Sequence, residues 1–282
     1  MKQPISISGL SETIDLFDAY FIDQFGVLHD GEKPYLGVVE TLERLYHAGK
    51  KLIVLTNSGR RAAPNLQRLV DMGIPKHIIE AVVSSGEVAW RGIRSGGFGF
   101  PFIPGCKGHI IGREGEYYGF DDLGLRFVEA PETADFLMIS GSNAPKTSLE
   151  DYAVQLSGAA KKSIPALCAN PDILMLTGGG LEPAPGAIAE TYQKLGGEVR
   201  YIGKPYSAIY QLALDSCPGI NMNRVIAVGD SVEHDIRGAA DFGIASVLVR
   251  TGVLTNSAPD DLANIFAHEG VWPTYVSPSF GW

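Results

Sequence analysis

The chain reads as an α/β protein in which a parallel sheet built of βαβ units is interrupted by an insert. Short apolar runs alternate with segments of helical period towards both ends of the 282 residues, as βαβ units require. Between them lies a glycine- and proline-dense entry followed by a second strand and helix pattern. Several apolar runs also end on an acid, a hydroxyl or a lysine, which is where loops beyond the carboxyl ends of parallel strands form a ligand crevice.

The first strand is expected at 20–23, ending on Asp23. Leu36, Val39, Leu42 and Leu45 recur at helical spacing and predict a helix over 36–49. Residues 51–56 read as a strand, 62–72 as a helix closing on Gly73, and 78–84 as a third strand. Five glycines and two prolines over 96–108 mark the entry to the insert. Strands are expected there at 109–112, 135–140 and 165–169, with a helix over 148–161. The glycines at 178–180, followed by Pro183 and Pro185, read as a linker out of it. The first rhythm then returns: helix 186–195, strand 199–203, helix 206–214, a strand from Arg224, helix 233–242 and strand 245–250. The expected division is 1–84 with 182–282 for the sheet and 85–181 for the insert. The aromatic tail over 272–282 is expected only to pack against the sheet edge.

Composition narrows the function. With 23 basic and 32 acidic residues the net charge is −9, which argues against a nucleic-acid partner or an anionic membrane surface. An anionic substrate then needs local positive charge. Cys106, Cys168 and Cys217 are widely spaced and odd in number, so neither a disulfide framework nor a zinc site is indicated and a reducing cytoplasm is expected. No apolar run reaches the length of a membrane span, and 1–20 carries Glu12, Asp15 and Asp18.

The chemistry-bearing residues sit at strand ends. Val225-Ile226-Ala227-Val228-Gly229-Asp230 is an apolar strand that ends in an acid, and Asp235 follows in the next turn. Asp23 repeats that layout early in the chain, so three carboxylates are expected at one sheet edge, an arrangement suited to a hard cation. Thr56-Asn57-Ser58 and Lys204 occupy two further loops. A carboxylate can attack phosphorus, hydroxyls and amides can bind non-bridging oxygens, and a lysine can neutralise developing charge.

The set Asp23…Gly26-Val27-Leu28, Thr56-Asn57, Lys204-Pro205 and Gly229-Asp230…Asp235 resembles the four motifs of the haloacid dehalogenase superfamily. With Thr56-Asn57-Ser58-Gly59-Arg60 and Cys168-Ala169-Asn170-Pro171-Asp172, the insert is similar to that of subclass IIA, which includes nitrophenylphosphatase-like and sugar- or pyridoxal-phosphate phosphatases. The resemblance implies a Rossmann-like core with helices on both faces of a parallel sheet and an inserted α/β cap domain. It implies a hydrolase of phosphoric monoesters using Mg2+, held by Asp23, the Phe25 backbone carbonyl, Asp230 and Asp235. Asp23, Thr56 and Lys204 are then catalytic, Asn57, Ser58 and Asn170 bind substrate, and the partner is a small phosphorylated metabolite. A homodimer is compatible with it.

One position departs from that pattern. Two residues after the nucleophile these phosphatases carry an aspartate that moves protons, and here Phe25 stands there. General acid–base catalysis is worth about 10² to 10⁴-fold, so slow turnover of poor leaving groups is expected. Two alternatives stay open: an impaired phosphometabolite-binding or regulatory protein, and a metal-free haloacid dehalogenase-type hydrolase. Against the latter, three converging carboxylates without a cation repel by several kcal/mol.

Overall fold

The structure is a computed structural model that describes residues 3–97, 103, 105–177, 180–255 and 259–282. Gly178 and Gly179 of the expected linker, and 98–102 and 104 of the glycine-rich entry, lie outside them. The chain forms two compact units: Met1–Thr56, Ala63–Val83 and Lys204–Trp282 make one, and Asn57–Ala62 with Ser84–Gly203 the other.

The first unit holds a seven-stranded sheet in the order Ile5–Ser6, Tyr275–Ser277, Ala245–Val249, Val225–Gly229, Ala19–Asp23, Lys51–Thr56 and Ala81–Ser84. Parallel pairings join the first six in succession. Ala19–Asp23 and Val225–Gly229 are buried at every residue, which is why they read as unbroken apolar runs rather than alternating ones. They are adjacent, with Ile22 opposite Val228. The acids that follow them therefore emerge side by side.

Helix Val38–His47 buries Val38, Thr41, Leu42 and Leu45. The expected start at Leu36 is corrected, because that residue is fully exposed and the spacing that meets the sheet is i, i+3, i+4, i+7 from Val38. The tail does more than pack on an edge: Tyr275–Ser277 is an interior strand between Ile5–Ser6 and Ala245–Val249. Beyond it Phe280 is buried and the Gly281 carbonyl accepts from Leu10 N–H at 2.8 Å.

The second unit has a five-stranded parallel sheet ordered Val199–Tyr201, Ala166–Cys168, Phe136–Ile139, Lys107–Ile111 and Arg126–Phe127, plus an antiparallel hairpin of Leu174–Thr177 with Gly180–Pro183. Its core joins Leu137, Ile139, Leu156, Ala166, Ile188 and Tyr192. Helix Leu149–Lys161 starts on a reciprocal cap between Ser148 and Asp151. The expected boundary at 181/182 differs from this division. Strand Val199–Tyr201 pairs with Ala166–Cys168, and helix Pro185–Lys194 is tied to the same sheet by the Tyr192 hydroxyl on the Ile164 carbonyl at 2.5 Å. Periodicity marks 199–203 as a strand but does not say which sheet receives it. Helix Ser85–Arg94, which the sequence reading passed over, is capped by Ser84 accepting from Glu87 N–H at 3.1 Å.

Candidate active site

The first unit brings Asp23, Asp230, Asp235 and Lys204 into one buried cluster. The three carboxylates each offer an oxygen within 4.8 Å of the others, and the four side chains belong to residues that are 7%, 4%, 4% and 4% exposed. Asp23 is the last residue of its strand and faces Leu55 in register, so Thr56, which ends the neighbouring strand, is beside it. Asp230 follows Gly229 directly. Asp235 comes one turn later, in a π-helical turn Val232–Ile236 capped by Ser231, a backbone form that recurs at functional sites.

Small residues make room for the acids. A Cβ on Gly229 would fall 2.1 Å from the Asp235 carboxyl carbon, and one on Gly26 2.2 Å from Asp230 Oδ2. Asp235 Oδ2 accepts from Ser231 N–H at 3.1 Å, and Oδ1 accepts from Lys204 Nζ at 2.7 Å. The same ammonium donates to Asp23 Oδ1. Asp230 Oδ2 accepts from Val253 N–H at 2.9 Å. Behind the turn, the buried Tyr210 hydroxyl donates towards the Asp235 carbonyl at 3.3 Å.

Electrostatics follow from three acids sharing one ammonium. Burial, reinforced by Asp235 and Asp230, holds the Asp23 carboxyl well above the usual carboxylate range despite Lys204. Burial and the Asp235 charge push Asp230 up to about 7. Burial alone would lower Lys204, but Asp23 and Asp235 outweigh it and raise the ammonium well above the usual lysine value. The ammonium therefore stays charged, and fully ionised the three acids exceed it by two negative charges.

Phe25 is 39% exposed and meets His29 edge to face, with centroids 6.0 Å apart. No proton is available from that ring. His29 is itself buried, and burial together with Arg68 lowers it to about 4, so it is neutral at pH 7.

Asn57, Ser58 and Asn170 belong to the second unit, where they shape its loops. Asn57 Nδ2 donates to Asp172 Oδ1 at 2.7 Å, and Asn57 Oδ1 accepts from the Ser85 hydroxyl at 3.4 Å. Asn170 Oδ1 accepts from Asp172 N–H at 3.0 Å, and the Ser58 carbonyl from Gly86 N–H at 3.1 Å. A Cβ on Gly203 would fall 2.6 Å from Asn57 Oδ1, so Asn57, Ser85, Asp172 and Gly203 form one tight constellation.

Tyr210, Gly252 and Val253 also reach this cluster and lie outside the four strand-end motifs. Gly252 had a local signal, a Thr-Gly pair at the end of an apolar strand. Tyr210 had none, being one apolar position of a helix.

A family model described as haloacid dehalogenase-like hydrolase matches residues 20–126, and a HAD-hydrolase-like model matches 201–281. A crystal structure of a haloacid dehalogenase-like family hydrolase from Brucella suis 1330 is 31% identical over 88% of this chain and 90% of that one, with a TM-score of 0.79. Human chronophin is 28% identical over 258 residues, 87% of this chain and 85% of that protein. A glycerol phosphate phosphatase of Mycobacterium tuberculosis, crystallised in complex with magnesium, is 26% identical over 95% of this chain and 76% of that one, with a TM-score of 0.73. With its strand-end acids, its lysine and its inserted second unit, the chain belongs to the haloacid dehalogenase-like hydrolases, of the subclass IIA type.

Proposed function

We propose that this protein is a magnesium-dependent phosphatase that hydrolyses a small phosphorylated metabolite through an aspartyl-phosphate on Asp23. The observation that carries the reading is the burial of three carboxylates and one ammonium together at the carboxyl edge of a parallel sheet. Fully ionised, those four groups sum to −2, three negative charges against one positive. A divalent cation cancels that sum, and an all-oxygen donor set suits a hard one. Asp23, Asp230, Asp235 and the Phe25 carbonyl would hold magnesium, which when bound neutralises charge on the phosphoryl oxygens.

The chain's own residues account for the rest. Lys204 ties Asp23 Oδ1 and leaves Oδ2 to approach phosphorus in line. The Thr56 hydroxyl and the Lys204 ammonium bind non-bridging oxygens. As the bond from Asp23 to phosphorus forms, the ester P–O bond breaks, and the departing oxygen takes its proton from solvent because Phe25 offers none. Water then attacks the phosphorus of the acyl-phosphate, the bond to Asp23 breaks, and inorganic phosphate leaves. Asn57, Ser58 and Asn170 are assigned to substrate recognition; Asn57 and Asn170 both bond Asp172, which supports the assignment for that pair, and Ser58 follows Asn57 in the same loop. Relatives named as phosphatases of small phosphate esters support the substrate class. Three free, buried cysteines fit a reducing cytoplasm.

The test is acid-quenched turnover of nitrophenyl phosphate with magnesium. A phosphate adduct on the peptide containing Asp23 is expected, together with a loss of activity of about 10³-fold or more in Asp23→Asn. Full activity in that variant, with its fold intact, would rule the mechanism out.

A further inference from the structure

We infer that Thr251 and Gly252 form a latch that restricts Asp230 to a single ligating oxygen and so makes the acid cluster prefer a small octahedral cation over calcium. The inference rests on the metal reading above and adds what selects the ion.

Strand Ala245–Val249 lies beside the strand that carries Asp230, and Thr251-Gly252-Val253 form the loop beyond its carboxyl end. The Thr251 hydroxyl donates to the Gly26 carbonyl at 2.5 Å, joining this loop to the one that follows Asp23. Asp230 Oδ2 is caught between the two. A Cβ on Gly252 would fall 1.9 Å from that oxygen and one on Gly26 2.2 Å from it, at φ +58 and +86 respectively. The Gly252 Cβ would also meet Gly26 Cα at 2.7 Å, so the two backbones touch. Val253 N–H occupies Oδ2 at 2.9 Å.

Oδ2 is thus enclosed by two glycine backbones and held by an amide, and Oδ1 is the oxygen that Asp230 leaves open towards a cation. At Asp235 each oxygen already accepts one hydrogen bond, Oδ2 from Ser231 N–H and Oδ1 from the Lys204 ammonium, which fixes the carboxylate and leaves it little freedom to turn both oxygens onto one ion. Magnesium takes six ligands at short range, keeps several waters and needs only single carboxylate oxygens, whereas calcium takes six to eight and favours bidentate carboxylates in sites that can widen. A cluster that withholds second oxygens, and whose rim is pinned by Thr251, disfavours the larger ion.

Calorimetric titration of the EDTA-stripped full chain with MgCl2 and separately with CaCl2 tests this, using Thr251→Val, Thr251→Ser and Gly252→Ala. The wild type is expected to bind magnesium more tightly than calcium. Thr251→Val keeps the side-chain shape without the O–H, and should weaken magnesium about fivefold while leaving calcium within about twofold. Thr251→Ser restores the hydroxyl and should restore the wild-type preference. Gly252→Ala forces Asp230 aside and should weaken magnesium about tenfold or more. Metal-free melting temperatures verify that each variant is folded, and Thr251→Ser supplies the contrast if Gly252→Ala does not fold. Equal wild-type affinity for the two ions, or an unchanged preference in Thr251→Val, overturns the latch while the phosphatase reading stands. Binding of neither ion to the wild type removes the metal reading and the latch with it.

Discussion

Asp230→Asn should stabilise the metal-free protein, and the gain should depend on pH in a calculable way. Asp230 is 4% exposed, and its burial beside Asp235 raises it from 3.8 to about 7. An acid raised in this sense binds its proton more tightly folded than unfolded. It is therefore harmless below its unfolded value of 3.8, increasingly costly between 3.8 and about 7, and fully costly above. The difference between the two values is about three units, and at 1.36 kcal/mol each the ceiling is about 4 kcal/mol at pH 8, falling to about 1 kcal/mol at pH 4.5. Asparagine keeps the shape and can still accept from Val253 N–H, but it carries no charge to desolvate. Urea unfolding in EDTA at the two pH values measures the difference, and repeating it with millimolar MgCl2 should stabilise the wild type far more than the variant. A metal-free Asp230→Asn less stable than wild type at pH 8, or a difference that does not change with pH, would refute the account of the cluster as an uncompensated cation site.

Phe25→Asp places a proton donor two residues after Asp23, and turnover of alkyl phosphates is expected to rise about ten- to a hundredfold relative to nitrophenyl phosphate, whose leaving group needs no acid. Steady-state kinetics on both esters read that ratio, and an equal change on both substrates would count against it. Tyr210→Phe keeps the ring stacked on Phe242, with centroids 5.5 Å apart, and removes the hydroxyl that reaches the Asp235 carbonyl at 3.3 Å. The loss is worth about 1 kcal/mol, and magnesium titration should show it as a weaker Kd with little change in the metal-free melting temperature. A lower Tm with unaltered Kd would make Tyr210 a packing residue only.

The sequence by itself determined what is local. Apolar runs ending in Asp23, Thr56 and Asp230 located the strands to within a residue or two, because a strand buried on both faces admits few polar residues and its end is marked where they resume. Asp235 stood out as a candidate by following Asp230 within one turn, and Lys204 by following the apolar run that ends at Gly203. The tertiary structure decided what pairs with what. Val199–Tyr201 joined the second unit's sheet rather than the first, and the aromatic tail became an interior strand, since periodicity records that a face is buried and not which partner buries it. Asn57 found Asp172 across 115 residues of chain. The Thr251 hydroxyl closed on the Gly26 carbonyl from the far end of the sequence, 225 residues away. Contacts at such separations depend on the completed sheet, whose strand order brings the loops of distant segments to one edge, and no local pattern of residue types encodes that order.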